Sequence, residues 1–235
     1  MSEPLPTVVL VHGAFADASS WNGVIKHLQD REYPVIAVAN PLRSLDTDTD
    51  YLNEVIAGID GSLVLAGHSY GGMVISGAAH DNVTALVYIA AFAPEAGESA
   101  LDLSTRFPGS TLGDTLNATP LGDGTTDLSI RQEEFHAQFA ADVPQEVAAL
   151  AAAGQRPVRD AALAAGAGEP AWRSIPSFFV NAAADKNIPV EAQRFMAERA
   201  GAREVVEISG ASHSVAVSHP DEVAALIIQA AGATG

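Results

Sequence analysis

The sequence predicts one α/β domain built on a mostly parallel sheet with helices on both faces. Three observations carry this expectation. Short apolar runs alternate with segments of helical periodicity. The run Ser62–Ala66 is apolar almost throughout, as suits a strand covered on both faces. The runs also end in breaks such as His12-Gly13, Asn40-Pro41 and Gly67.

The elements follow in order. Thr7–Val11 reads as the first strand, and Trp21–Asp30 as a helix with Trp21, Val24, Ile25 and Leu28 on one face. Pro34–Ala39 is the second strand, and Asp46–Ile59 a helix whose acidic start suits the positive end of the helix dipole. Ser62–Ala66 leads through the turn Gly67–Gly72 into a helix at Met73–Ala79, and Ala85–Ala91 is the fourth strand. The rhythm then breaks. Pro94–Trp172 has no regular strand signal; it holds a Gly/Thr/Asp-rich stretch and helix-like pieces at Ser129–Asp142, Pro144–Ala153 and Val158–Ala165. Strands resume at Ser177–Ala182 and Glu204–Ser209, with helices at Val190–Ala200 and Pro220–Ala230. The expected division is a core of residues 1–93 and 174–235, with 94–173 inserted into it as a small helical cap.

The 235 residues suffice for a large hydrophobic core without staples. With no cysteine, disulfides, thiolate metal sites and cysteine nucleophiles are excluded. A formal charge of −17 disfavours phosphate backbones and anionic lipid heads, so neither nucleic acid nor membrane is an expected partner. Met1–Pro6 lacks the basic and apolar regions of a signal peptide, and a cytoplasmic location is expected. The oligomeric state stays open.

The informative motif is Gly67-His68-Ser69-Tyr70-Gly71. It fits G-x-S-x-G, in which a strand turns sharply into a helix and holds a serine at a strained apex. Side chains at the two flanking positions would collide, so Gly67 and Gly71 are required there. An apolar strand pattern precedes the motif and a helical pattern follows it, as this reading demands.

A serine hydroxyl needs a base. On such a turn the expected chain order is Ser, then Asp or Glu, then His. Well downstream of Ser69 lie His136, His213 and His219, while His80 carries no signal beyond that of an ordinary helical or surface histidine. His213, in the loop after the last strand, is the expected base; His219, before Pro220, reads as a helix boundary. Asp185, after the strand Ser177–Ala182, is the expected acid, with Glu95 as the alternative. The expected oxyanion donors are the backbone N–H groups of Tyr70 and of Ala14, the latter in the loop after the first strand.

With these residues in view the chain resembles the α/β-hydrolase superfamily. Within it, the chain is similar to the plant esterase and hydroxynitrile lyase group and its bacterial esterase relatives. The resemblance rests on Val11-His12-Gly13-Ala14 with Trp21, on the elbow with Gly72, on Ala91-Phe92-Ala93-Pro94, on Asp185 with Ile188-Pro189, and on Gly210-Ala211-Ser212-His213 with Pro220. It implies a six-stranded core, since no room remains before Thr7 for the strands that open longer members, and a small helical cap over the serine. Two positions depart from the lyases of this group. They carry threonine where this chain has Gly13 and lysine where it has Ser214, which favours ester hydrolysis here.

The expected activity is cleavage of small to medium uncharged carboxylic esters through an acyl-enzyme on Ser69. No cofactor or metal is implied. Phe15, Phe92, Phe107, Phe135, His136, Phe139 and Trp172 are candidate pocket linings, with ordinary core packing an equal reading for each. The alternatives are another reaction on the same fold (lyase, perhydrolase or carbon–carbon hydrolase) and a small-molecule receptor.

Overall fold

The computed structural model describes residues 4–233, so the signal-peptide reading of Met1–Pro6 lies partly outside the described residues. In order, the first half of the core forms β1 (Thr7–Val11), α1 (Asn22–Gln29), β2 (Val35–Val38), α2 (Leu45–Ala57), β3 (Leu63–His68), α3 (Gly71–Ser76) and β4 (Val83–Ile89). The insertion contributes α4 (Ala100–Thr105), β5 (Leu116–Pro120), β6 (Thr126–Ile130), α5 (Gln132–Phe139), α6 (Gln145–Gly154), β7 (Val158–Arg159) and α7 (Asp160–Ala164). The core then resumes with β8 (Ser177–Ala182), α8 (Val190–Arg199), β9 (Glu204–Ile208), α9 (Val215–Ser218) and α10 (Pro220–Gly232).

Six core strands form one parallel sheet in the order β2-β1-β3-β4-β8-β9. Its strands alternate their side chains between two cores, as a pleat with period two requires. Val8, Leu10, Val64, Ala66, Val87 and Val180 meet α1 and α10 on one face, while Val9, Val11, Leu65, Tyr88 and Phe179 meet α2, α3 and α8 on the other. The edge strand β9 carries the exposed acids Glu204 and Glu207, which discourages further pairing. β1 lies between β2 and β3, so the chain reverses its winding direction there. A crevice opens at such a point beyond the C-terminal strand ends, and open α/β sheets bind ligands in it.

Local chemistry sets several boundaries. Ser44 Oγ caps α2 by accepting from Thr47 N at 3.2 Å, and Asp46 and Asp48 occupy its first turn. Ser99 and Asp102 form a reciprocal capping box on α4. Pro220 opens α10. β4 ends at Ile89, earlier than the expected Ala91, because Ala90 takes a left-handed φ of 41°.

The insertion corrects one expectation: it is not wholly helical. β5, β6 and β7 form an antiparallel sheet of their own, and the helix expected from Ser129 starts only at Gln132. Most of β5 is exposed and β6 is mostly half-buried; both are rich in Asn, Thr, Asp and Ser. Neither shows the apolar alternation that marks a strand. Gly124 (φ 83°) closes the hairpin between them, with Leu121 N donating to Thr125 O at 2.8 Å.

Candidate active site

Ser69 stands between β3 and α3 with a left-handed φ of 55°, a costly conformation for a residue with a side chain. The close packing around it explains the glycines. A Cβ on Gly67 would lie 2.6 Å from Gly71 O, and one on Gly71 would strike Val11 O. The turn is held by Ser69 N donating to Ile89 O at 3.3 Å and by Gly72 N donating to Ser69 O at 2.9 Å.

His213 follows β9, and Asp185 follows β8. His213 Nδ1 lies 2.6 Å from Asp185 Oδ2, and both side chains are almost wholly buried, at 1% and 0% exposure. The carboxylate accepts three further bonds: from Asn187 N at 2.7 Å and Ile188 N at 3.1 Å on Oδ1, and from Gln193 Nε2 at 3.0 Å on Oδ2. Gln193 is itself held, donating to Ile188 O at 2.7 Å and accepting from Ala182 N at 3.0 Å. With its acceptor sites so occupied, Asp185 fixes the imidazole proton on Nδ1 and leaves Nε2 as the basic atom. Nε2 is buried and has no hydrogen-bond partner, so Ser69 Oγ is not bonded to it in this conformation. Glu95, the alternative acid, instead pairs with Arg173.

The histidine loop is tied to the elbow. His68 Nε2 donates to His213 O at 2.8 Å, and the two rings lie 4.7 Å apart. Burial, with His213 beside it, depresses the His68 pKa to about 3, so this imidazole is neutral. Burial likewise lowers the pKa of His12, whose Nδ1 donates to Gly13 O at 2.9 Å.

Gly13 brings the β1 loop against the elbow. A Cβ there would lie 2.6 Å from Ser69 Cβ, 2.7 Å from His68 O and 3.1 Å from Tyr70 N. Ala14 and Tyr70, the residues that follow Gly13 and Ser69, border the same cavity as the serine, and neither backbone amide donates to another group among the described residues. The insertion holds this loop, because Phe15 N donates to Arg156 O at 3.1 Å. The Tyr70 ring is buried, its hydroxyl donating to the buried Asp48 at 2.9 Å. Desolvation raises the pKa of both groups.

A cavity of about 710 Å³ opens over Ser69 and is roofed by the insertion. Of the aromatic candidates, Phe15, Phe92 and Phe107 line it. Phe135, His136, Phe139 and Trp172 do not, which corrects that expectation. Phe135 and Phe139 pack on each other, tilted, with ring centroids 4.9 Å apart, and Phe139 lies against His213 (4.9 Å), His68 (6.2 Å) and Phe15 (6.3 Å). Its carbonyl accepts from Ser214 N at 3.0 Å, so the end of α5 shields the Asp185–His213 pair from water. His136 Nε2 donates to Val143 O at 2.9 Å, and Trp172 Nε1 to Pro94 O at 2.9 Å. Both rings are engaged in holding the insertion together. Among the described residues no group of three or more metal-ligating side chains gathers in one place, and no helix is long and apolar enough to cross a membrane.

Sequence reasoning missed Gln193, Asp48 and the shielding by Phe139. Gln193 bonds to Asp185 eight residues away, whereas Asp48 and Phe139 act on residues further along the chain, and no local pattern marks any of the three.

A serine on a strained strand–turn–helix apex, beside a buried Asp–His pair at the switch point of a parallel sheet, is the arrangement of an α/β hydrolase. The chain belongs to that family: the model of the "Alpha/beta hydrolase family" matches residues 8–226. Polyneuridine aldehyde esterase of Rauvolfia serpentina is 29% identical over 241 residues, covering 92% of this chain and 91% of that protein. A crystal structure of polyneuridine aldehyde esterase superposes with a TM-score of 0.83 at 23% identity, over 96% of this chain and 99% of the other. Norfluorocurarine synthase 2 of a Strychnos species is 27% identical, covering 94% and 93% of the two chains. An alpha-hydroxynitrile lyase of Arabidopsis thaliana is 26% identical, covering 92% and 93%.

Proposed function

We propose that this protein is a serine carboxylesterase acting on small to medium esters whose groups beside the carbonyl are uncharged. One observation carries the reading: an imidazole whose Nδ1 is held by a buried carboxylate, whose Nε2 has no partner, and whose backbone is bonded to the residue preceding Ser69. As an ester enters, the Ser69 hydroxyl bonds to Nε2, a contact that often tightens only in the substrate complex. Oγ attacks the carbonyl carbon while His213 takes its proton. The Ala14 and Tyr70 amides stabilise the oxyanion. The carbon–oxygen bond to the alcohol breaks, and the alcohol leaves with the proton from His213. Water then adds to the acyl-enzyme, again giving its proton to His213; the bond to Ser69 Oγ breaks, the proton returns to Ser69, and the acid is released.

Relatives named as an esterase, a synthase and a lyase share this fold, so the chemistry must be argued from the site. Gly13 and Ser214 stand where the resembled lyases have threonine and lysine. A side chain at Gly13 would be forced into Ser69, which supports hydrolysis over lyase chemistry.

The test is hydrolysis of p-nitrophenyl acetate and butyrate by the wild type and by Ser69→Ala, with a fluorophosphonate to label the nucleophile. The expected result is turnover that falls at least a thousandfold in the variant and a mass adduct on Ser69. Equal rates in both proteins would remove the serine mechanism. Labelling without turnover of any ester would favour a receptor.

A further inference from the structure

We infer that Asp142, in the turn between α5 and α6, is a positioning residue for the reaction: acting through Ser212, it fixes where His213 stands, and so makes the insertion part of the machinery that aims the base. The inference rests on the esterase reading above and deepens it by naming a residue, outside the set formed by Ser69, Asp185 and His213, on which the base depends.

The insertion bonds to the residues on both sides of His213. Before it, Ser212 Oγ donates to Asp142 Oδ1 and lies 3.4 Å from Phe139 O. After it, Ser214 N donates to Phe139 O at 3.0 Å. From the core, His68 Nε2 bonds to His213 O at 2.8 Å. The base is therefore gripped from two sides, by the elbow through its own carbonyl and by the insertion through its neighbours. The turn that carries Asp142 is itself locked. Ala140 N donates to His136 O at 3.1 Å, Val143 N to Ala140 O at 3.0 Å, and His136 Nε2 to Val143 O at 2.9 Å. Asp142 does not border the cavity over Ser69, so its influence on the reaction passes through the histidine loop.

The chemistry of the contact favours placement over stability. The Asp142 side chain is only 20% exposed, yet among the described residues no lysine or arginine pairs with it. Its ion-pair partner is His219, at 3.4 Å, which Glu222 also faces at 3.3 Å. Burial pushes the Asp142 pKa up, but hydrogen bonds from Ser212 and Ser218 outweigh it and hold the carboxyl below the usual aspartate range. A mostly buried carboxylate without a permanent cation adds little net stability. It does supply a charge-assisted, directional bond to the residue next to the base. Without that carboxylate, Ser212 Oγ keeps only the long contact with Phe139 O. The loop then relaxes, and a shift of about 1 Å at a reacting group can cost about a hundredfold in rate.

The experiment compares the wild type with Asp142→Ala, Asp142→Asn, Ser212→Ala and the double variant Asp142→Ala/Ser212→Ala. It reads kcat and KM on p-nitrophenyl butyrate, the rate of Ser69 labelling by a fluorophosphonate, and the downfield proton NMR signal of the His213 Nδ1–H bonded to Asp185. Asp142→Ala is expected to lower kcat and the labelling rate by about tenfold or more, with KM within about twofold, and to shift or broaden the signal. Asp142→Asn keeps an oxygen for Ser212 and is expected to recover kcat to within about threefold of the wild type. The double variant should be no slower than the slower single one, because the two side chains act as one contact. A folded Asp142→Ala with unchanged kcat, equal losses in Asp142→Asn and Asp142→Ala, a loss confined to KM, or additive losses in the double variant would each overturn the placement. If Asp142→Ala does not fold, Ser212→Ala decides in its stead, and wild-type kcat there overturns the inference. Ser69-dependent turnover that no variant alters would sink this inference alone. A wild type that cleaves no ester would sink the esterase reading, and an unmoved NMR signal in Asp142→Ala would then sink the placement separately.

Discussion

Replacing Gly13 with alanine tests whether the β1 loop supplies half of the oxyanion site. The new methyl carbon would sit 2.6 Å from Ser69 Cβ and 2.7 Å from His68 O. Carbon atoms pack at about 3.5–4.0 Å, so the loop must retreat by roughly 1 Å. The elbow cannot yield instead, because Gly67 and Gly71 already lie in contact with the backbone around them. Ala14 N therefore moves out of hydrogen-bond range of the developing oxyanion. Loss of one such donor costs about 100- to 1,000-fold in kcat, or about 3–4 kcal/mol of transition-state stabilisation. Overpacking of this kind costs about 1–3 kcal/mol in stability, which leaves the variant folded under assay conditions. The assay is kcat on p-nitrophenyl butyrate beside urea unfolding, with Gly122→Ala, whose added carbon meets nothing within 4 Å, as control. A folded Gly13→Ala protein with kcat within threefold of wild type would refute the placement of Ala14 N in the site.

Three further outcomes follow from the same geometry. Gln193→Leu removes a donor to Asp185 Oδ2 and leaves the carboxylate buried, so kcat should fall at least tenfold with little change in KM, and the acidic limb of the pH–rate profile should move; an unmoved profile would make Gln193 merely structural. Tyr70→Phe strips the hydroxyl from the buried Asp48 and should cost about 1.5–3 kcal/mol in urea unfolding, a loss that an equally stable variant would contradict. His68 titrates near 3 when folded and near 6.5 when unfolded, so its contribution is complete above pH 6.5 and is lost at about 1.4 kcal/mol per unit as pH falls toward 3; unfolding of His68→Gln measured between pH 7 and 4 should show a shallower loss than the wild type, and parallel slopes would exclude this origin.

The core was legible because its inner strands are buried on both faces. Ser62–Ala66 and Ser177–Ala182 are apolar where a solvent-facing strand would alternate, and each is followed by a loop bearing chemistry. The elbow was legible because its glycines are forced by contacts within the turn itself. The insertion was not, since Leu116–Pro120 and Thr126–Ile130 pair as a largely solvated hairpin whose stability comes from each other and from Leu128 and Ile130 beneath. The four candidate rings that do not line the cavity share one cause. Composition identifies an aromatic side chain but not its direction, and Phe139 faces the histidine loop from behind, outside the cavity.

The bond from Phe15 N to Arg156 O joins the insertion to the strip of chain that carries the Ala14 amide. Along that seam, roof and floor are one mechanical body. Lifting the roof there would pull on the amide proposed to hold the oxyanion, so opening along this edge would disturb the site it served. Exposed Leu101 and Ala161 border the cavity on the insertion's own helices, away from that seam in the chain, and a change of residue there leaves the Phe15–Arg156 bond untouched.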